Sequence, residues 1–293
     1  LRPEGTVGCA RVMIENGLIY NGQNQKIWYI GPMFRRENTQ KDRYRQFHQF
    51  GVESFGGHNN DVDFEQILII KNLFDILFVN NKIVLQVNCI GNVHTRMLYK
   101  TALFIYFSNY VSYLSDDEKI KLLFNPIRLL DSKNLKLKKF IKKAPKIINF
   151  LDKNTKNKFF LFLRKLDNFG IFFIINENLV RGLDYYNDFV YEWVLYENKS
   201  QNSLCGGGRY DGLIKQLGFK NVSGVGFGIG LERLISLYTE NVILNKFYLS
   251  VLLISIGNKA HFFKIKIAEL IRSLYPNIFL FTTYDIINYS NQL

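Results

Sequence analysis

Between residues 224 and 230 the chain reads GVGFGIG, placing Gly224, Gly226, Gly228 and Gly230 at every second position. Alternate residues of a strand face opposite sides, so a strand here has one face with no side chains. It offers a flat backbone shelf on which an aromatic ring such as adenine can lie. The next residues, LERL, open a helix and put Arg233 in its first turn, where unpaired amides and the helix dipole already favour an anion. No GK[ST] follows and no GxGxxG register fits, which excludes both common nucleotide loops. Taken alone, the same glycines read equally well as a device for close packing against a helix.

A second segment, FRRENTQKDRYRQFHQFGVE, runs from Phe34 to Glu53 after the apolar IWYIGPMF. It carries Arg35, Arg36, Arg43 and Arg45, then sets Gln49 and Glu53 four apart with Gly51 between them. In a strand over Arg45–Phe55, Phe47, Gln49, Gly51 and Glu53 share a face, and Gly51 leaves a gap in which a small ligand could meet the backbone. An acceptor pair across a gap suits an amine or an imidazole. The competing reading is a bulge at Gly51 with Glu53 facing solvent. Arg35 ends the preceding strand and can reach over the same surface to a phosphate or carboxylate. Further on, LVRGLDYYNDFVYEW supplies Arg181, Asp184, Tyr185 and Tyr186 where a strand starts, a set costly to bury without use. CGGGRYDGL places Arg209 and Tyr210 on a turn that either closes over a ligand or is a structural glycine turn.

Organisation follows from the periodicities. A helix is expected over GTVGCARVMIENG, stopping at Gly17, then a hairpin of Trp28–Arg35 and Arg45–Phe55 joined by RENTQKD. An amphipathic helix near Asp61–Phe78, the strand KIVLQVN and a helix from about Asn92 come next. From Ser115 to Phe169 apolar residues keep helical spacing amid frequent lysines, which reads as a separate helical insert. Strands return at GIFFII and DFVYEWVLY, and the last stretch spells strand, helix, strand. The divisions expected are 1–112 and 171–243 for the two parts of a core, 113–170 for the insert, and 244–293 for a partial α/β domain. LRPEGT begins in mid-pattern, as a fragment would.

Charge and composition narrow the classes. The net charge of +13 and pI near 9.5 invite a polyanion. The 26 Phe and 17 Tyr, with abundant Asn and Ile, are also what base-composition drift produces, so only the distribution of charge can decide. No apolar run approaches the ~18–20 residues of a membrane helix, and the N-terminal residues lack a signal peptide's basic region and small-residue cleavage site, so no membrane association and a cytoplasmic location are expected. Cys9, Cys89 and Cys205 are odd in number and widely spaced, hence packing residues in a reducing compartment. The histidines His48, His58, His94 and His261 have no ligand spacing, so no protein-held metal is expected.

In this order the motifs resemble those of the histidyl-tRNA synthetase family, class II aminoacyl-tRNA synthetases. FRRENTQKDRYRQFHQFGVE is similar to motif 2, GVGFGIGLERLI to motif 3, LVRGLDYYN and CGGGRYDGL to the two histidine signatures, and LRPEGT also matches. The resemblance implies an α+β fold: a six-stranded antiparallel sheet flanked by helices, a helical insertion, and a C-terminal α/β anticodon-binding domain, here partial. It implies activation of histidine to histidyl-adenylate and transfer to the 3′ end of tRNA(His), with ATP as substrate, Mg²⁺ arriving on the nucleotide, and a homodimer when full length. By the same resemblance Arg35, Arg181 and Arg233 are the catalytic cations. Arg35 and Arg43 with Glu37, Gly228, Gly230 and Arg233 bind ATP; Glu4, Thr6, Gln49, Glu53, Arg181, Tyr185, Tyr186 and Tyr210 bind histidine. The chain departs from the family at Arg36, usually aromatic or His, and at Asn38-Thr39, usually Arg-Pro; Asn38 cannot supply a guanidinium. Motif 1 is absent. The alternative is a synthetase-like, non-catalytic histidine-binding regulatory subunit of ATP phosphoribosyltransferase, which tends to lack the arginine found here at 181. The cluster Lys138, Lys139, Lys142, Lys143 and Lys146 in the insert is either a contact for the tRNA acceptor stem or a solvated helix face.

Overall fold

The computed structural model describes residues 1–19, 24–36, 38–39, 43–56, 60–77, 79, 82–130, 132, 134–180, 185–196, 203–241, 250–255, 258–275 and 278–282. Contacts divide the chain into two compact units, Leu1–Asn241 and Val242–Leu293.

The first unit opens with helix α1 (Thr6–Glu15), whose N-terminal amides are met by Glu4: Thr6 N and Val7 N donate to its carboxylate at 2.7 and 3.0 Å. An anion there also complements the helix dipole. Gly17, at φ 61°, ends the turn after it, a left-handed conformation that glycine adopts without penalty. Strands β1 (Gln25–Phe34) and β2 (Gln46–Phe55) form the expected hairpin, paired antiparallel without a register break. Helix α2 (Asn60–Ile76), strand β3 (Ile83–Gly91) and helix α3 (Val93–Ser108) follow, α3 capped by Asn92, which accepts from Thr95 N at 2.9 Å.

The lysine-rich stretch folds into α4 (Asp116–Phe124), α5 (Leu135–Ile141) and α6 (Lys153–Asn168) with short 3-10 turns between them. Ser115 and Glu118 make a reciprocal capping box at the start of α4. Glu118 also accepts from Ser132 Oγ and from Asn134 Nδ2, and Asn134 in turn caps α5, so one carboxylate joins the two helix starts. The helices pack within the unit that holds the sheet: Leu122, Leu137 and Ile141 share an apolar cluster with Tyr99, Leu103 and Phe107 of α3, while Phe159 and Phe162 of α6 lie against the sheet. Strand β4 (Phe173–Ile175) leads to β5 (Asn187–Leu195), β6 (Ser203–Arg209), the short helix α7 (Leu213–Gln216), β7 (Gly224–Gly230) and α8 (Leu231–Asn241).

The sheet has the order β1-β2-β7-β6-β5-β3-β4. Six strands are antiparallel to their neighbours, and β4 adds a seventh, parallel to β3 at the edge. That seventh strand, in the segment GIFFII read as a strand, adds to the six-stranded sheet that the resemblance implies. One face is apolar: Leu85, Val87, Tyr191, Trp193, Phe227 and Ile229 meet Ile67, Ile70 and Phe74 of α2 and the phenylalanines of α6. At about 1.5–3 kcal/mol for each fully buried large side chain, this face anchors the sheet. Arg209 ties α2 to it through a buried ion pair with Asp63, Nε to Oδ1 at 3.1 Å, and both residues are almost fully enclosed. The opposite face has a run of glycines across its central strands, and the site lies there.

In the second unit β8 (Ser250–Leu253) and β9 (Phe279–Thr282) pair in parallel, with α9 (Asn258–Leu274) between them in sequence, the strand-helix-strand order expected. Among the described residues no helix is long and apolar enough to cross a membrane, and no group of three His, Cys, Asp or Glu could hold a metal.

Candidate active site

The polar face of the sheet is a glycine trough. Across the strands, Tyr29 pairs with Gly51, Gly51 with Gly228, Gly228 with Gly206, and Gly206 with Glu192. The next row runs Glu53, Gly226, Gly208. Three adjacent strands thus contribute glycine, and the trough has a wall at each end, Tyr29 on β1 and Glu192 on β5.

The shelf read from the alternating glycines is only partly bare. A Cβ on Gly224 would strike the Tyr210 ring, one on Gly226 the Glu53 carboxylate, and one on Gly228 the Gln49 amide; at Gly230 there is no heavy atom within 4 Å. Three of the glycines therefore let side chains from other strands lie flat over β7, and Gly230 alone is open. Gly228 still borders the cleft, beneath Gln49. The gap expected above Gly51 is likewise filled: the Tyr29 ring occupies it and also abuts Gly5. Gly51 is not a bulge, and Glu53 does not face solvent but is fully buried.

At the Gly230 end lies a cleft of about 230 Å³, bordered by Arg35, Arg43, Phe47, Gly230, Glu232 and Arg233 among others. Arg35 donates through Nε to the Pro3 carbonyl at 2.9 Å, and its guanidinium lies 4.8 Å over the Phe47 ring, so it is held in place at the edge of the cleft. Arg233, in the first turn of α8, donates through Nη1 to the Ser203 carbonyl at 2.6 Å. Glu232 turns to β2 instead, accepting from His48 N at 2.7 Å and lying 3.0 Å from its Nδ1. Arg35 and Arg233, 198 residues apart in numbering, thus border one cleft. Arg181 and Glu37, expected beside them, and Asp184 lie outside the described residues.

The other end is a nest of hydroxyls around Glu53. Thr6 Oγ1 donates to Oε1 at 2.6 Å and Tyr210 OH to Oε2 at 2.5 Å. The rings of Tyr185, Tyr186 and Tyr210 pack mutually, with centroids 4.7 to 6.2 Å apart. Tyr185 OH reaches Glu4 at 3.4 Å. Burial raises the Glu53 carboxyl to about 8; the Thr6 and Tyr210 hydrogen bonds oppose this by favouring the ionised form, and Glu4 adds to the rise. Burial likewise pushes the Tyr210 phenol upward and lifts the Cys9 thiol to about 12. Gln49, between the two ends, has a buried Oε1 with no hydrogen-bond partner among the described residues, an acceptor suited to a donor from a ligand.

Every expected site residue within the described set lies on this one face: Arg35, Arg43, Gln49, Gly228, Gly230 and Arg233 at the cleft, and Glu4, Thr6, Glu53, Tyr185, Tyr186 and Tyr210 at the nest. Arg209 is different. Its guanidinium faces Asp63 and Asp211 inside the protein and braces the turn rather than closing it over a ligand. Tyr29 and Glu192 were missed. Both sit opposite a glycine in the strand register, a signal that needs the pairing of strands and not their sequence alone.

A mostly antiparallel sheet flanked by helices, with an arginine-edged cleft on its glycine-lined face, places the chain among the class II aminoacyl-tRNA synthetase cores. The family description "tRNA synthetase class II core domain (G, H, P, S and T)" matches residues 1–242. The chain is 44% identical over 286 residues to histidine–tRNA ligase of Buchnera aphidicola subsp. Schizaphis graminum, covering 97% of this chain and 67% of that protein. It is 46% identical over 272 residues to histidine–tRNA ligase of Methylobacillus flagellatus, covering 93% and 65%. The apo histidyl-tRNA synthetase structure from S. aureus superposes with a TM-score of 0.70 at 31% identity, over 100% of this chain and 71% of that one. The chain belongs to the histidine–tRNA ligase family, and spans about two thirds of the length of the curated relatives it matches.

Proposed function

We propose that the protein activates histidine with ATP and passes the histidyl group to the 3′ end of tRNA(His). The observation that carries this reading is the arrangement of two unlike sites on one glycine floor: cations around a cleft, and a buried carboxylate ringed by hydroxyls beside it. ATP lies over Gly230 with its α-phosphate toward Arg35 and its γ-phosphate toward Arg233, near Arg43. Histidine lies toward the nest, its ring N–H directed at Glu53, with Tyr186 against the imidazole and Tyr210 lining the pocket. The orphaned acceptor of Gln49, with Glu4 and Thr6, suits the α-amino group.

No nucleophile of the protein is required. The histidine carboxylate attacks the α-phosphorus, the bond to the pyrophosphate oxygen breaks, and a terminal ribose hydroxyl of tRNA then takes the acyl group as AMP leaves. The protein's contribution is to hold two reactants in line and to place fixed positive charge where phosphate oxygens gain negative charge. Arg181 is assigned to the bridge between the histidine carboxylate and the α-phosphate. Mg²⁺ would come with ATP and neutralise phosphate charge; it needs few protein oxygens, and Glu192 and Glu232 are the carboxylates that border the cleft. Glu37 is assigned to the adenine edge.

Selectivity follows from the buried carboxylate. A ligand that brings no N–H to Glu53 leaves a buried acceptor unmet, a heavier penalty than a misfitting methylene. Lys138, Lys139, Lys142 and Lys143 are exposed on and after α5, and Lys146 pairs with Glu177 at 3.1 Å; we assign this surface to the tRNA acceptor stem. A homodimer and a cytoplasmic location belong to the same reading. Histidine-dependent ATP–pyrophosphate exchange tests it, followed by charging of tRNA(His). Exchange and charging are expected. Histidine binding with neither activity would favour the regulatory-subunit alternative.

A further inference from the structure

Arg96 belongs to no motif, yet it holds the backbone of one. Strand β5 is out of step with both neighbours at its start: the β3–β5 register shifts between Cys89 and Gly91, and the β5–β6 register between Asn187 and Val190. Gly91 and Asp188 stand opposite each other at this point, both in the left-handed region at φ 61° and 50°, and Asp188 is the one non-glycine residue there among the described residues. Such a bulge bends a strand and re-aims the side chains beside it, and a left-handed non-glycine residue persists only where its surroundings hold it. The side chains beside this bulge are Tyr185 and Tyr186, whose rings pack with Tyr210 in the nest around Glu53.

A buried carbonyl just outside a sheet ladder needs another donor. Tyr186, 5% exposed, precedes β5, and its carbonyl oxygen accepts from Arg96 Nη1 at 2.6 Å; the same nitrogen donates to the Gly91 carbonyl at 3.2 Å. One guanidinium nitrogen on α3 thus joins the two strands where their pairing breaks. An arginine that only closed the turn between β3 and α3 would need Gly91 alone, whereas the shorter bond reaches 90 residues along the chain to Tyr186. From the other side Asn187 Oδ1 accepts from Asp211 N at 2.7 Å, next to Tyr210. Gly208 completes the seat: a Cβ there would lie 2.5 Å from the Phe189 carbonyl oxygen and 3.1 Å from the Tyr186 ring. Arg96 itself is outside the set of residues that border the arginine cleft.

We propose that Arg96 is a positioning residue for histidine recognition: by gripping the Tyr186 carbonyl at the β5 bulge, it fixes the ring that meets the substrate's imidazole. This rests on the reading of Tyr186 and Glu53 as the partners of the imidazole. Arg96 acts through Tyr186 and not on a substrate. A hydrogen bond from a charged donor is stronger than a neutral one, so its removal leaves the backbone at Tyr185 and Tyr186 free to shift while the regular part of the sheet keeps its pairing. The ATP cleft, built on β2, β7 and α8, has no share in that bond.

The test uses the whole chain with Arg96→Met, which keeps an unbranched apolar stem and removes the donors, with Arg96→Lys and, separately, with Glu53→Gln. Calorimetric titration of Arg96→Met is expected to show histidine and histidinol weakened alike, by at least about tenfold, the scale of one hydrogen bond to a charged group, with ATP affinity unchanged. Histidinol keeps the imidazole and lacks the carboxylate, so a loss confined to histidine would place the effect at the carboxylate and overturn the proposal. Equal losses for histidine and ATP, the mark of a general structural role, overturn it too, as does unchanged histidine affinity. Arg96→Lys, whose ammonium stops one bond short of Nη1, is expected to bind histidine more weakly than the parent and more tightly than Arg96→Met. Should Arg96→Met not fold, Arg96→Lys decides: histidine affinity equal to the parent's, or a loss shared by ATP, refutes the role. If Glu53→Gln binds histidine as the parent does, the reading of the recess fails; a loss there without one in Arg96→Met removes the role of Arg96 alone.

Discussion

Alanine in place of Gly226 separates the two uses of the glycine strand. A Cβ there would collide with the Glu53 carboxylate and lie 2.7 Å from the Val52 carbonyl oxygen, which is backbone and cannot swing aside. Glu53 cannot retreat without loosening its bonds from Thr6 or Tyr210. Losing one hydrogen bond to a charged group costs about 1.5–3 kcal/mol. Forcing a methyl into a filled interior costs about 1–3 kcal/mol more, and alanine's smaller unfolded-state entropy offsets about 0.4–1 kcal/mol. The expected net loss is about 2–5 kcal/mol in urea unfolding, with histidine affinity down at least about tenfold. The control is Gly230→Ala, where no atom lies within 4 Å of the new methyl. It should leave stability unchanged or raised by up to about 1 kcal/mol, keep histidine affinity, and weaken ATP by occupying the open shelf. Equal stability and equal histidine affinity in Gly226→Ala, or equal damage from both substitutions, would refute the assignment of these glycines.

Other outcomes follow from the same contacts. Asp63→Ala takes the fully enclosed partner from Arg209, which keeps Asp211, and is expected to cost about 3 kcal/mol, read by chemical denaturation; a loss below about 1 kcal/mol contradicts a structural ion pair. Arg233→Ala should lower the rate of ATP–pyrophosphate exchange by about 10²–10³-fold, judged from single oxyanion donors, while leaving histidine affinity intact. Glu53 is raised from 4.5 to about 8, so its favourable contribution to stability is complete below pH 4.5 and disappears as pH rises through about 8. Glu53→Gln should therefore flatten the stability profile in that window, and an unchanged slope between pH 5 and pH 9 denies that Glu53 titrates there.

Local pattern made much of the framework legible. The hairpin, the helix from about Asn92, the helical spacing that begins at Ser115 and the terminal strand-helix-strand are short-range features, and each stands where periodicity put it. The clustering of Gln49, Glu53 and Tyr210 with the arginine cleft came through the resemblance, since no single segment records which strands become neighbours. Errors arose at that same level. Gly51 looked like room for a ligand because Tyr29, twenty-two residues earlier, shows its partnership only in the strand register. The glycines of β7 looked bare because the side chains lying over them come from β2 and from the turn after β6. The turn at Arg209 stayed open between a ligand contact and a structural turn, because the partner that decides it, Asp63, is 146 positions away on α2.

The most direct measurement is a crystal structure of the chain with a non-hydrolysable histidyl-adenylate analogue. The adenylate phosphate should lie against the Arg35 guanidinium with the adenine over Gly230, and an imidazole nitrogen should stand within hydrogen-bond distance of a Glu53 oxygen. Density for the analogue elsewhere on the protein, or an imidazole that leaves Glu53 to the Thr6 and Tyr210 hydroxyls, would contradict the account.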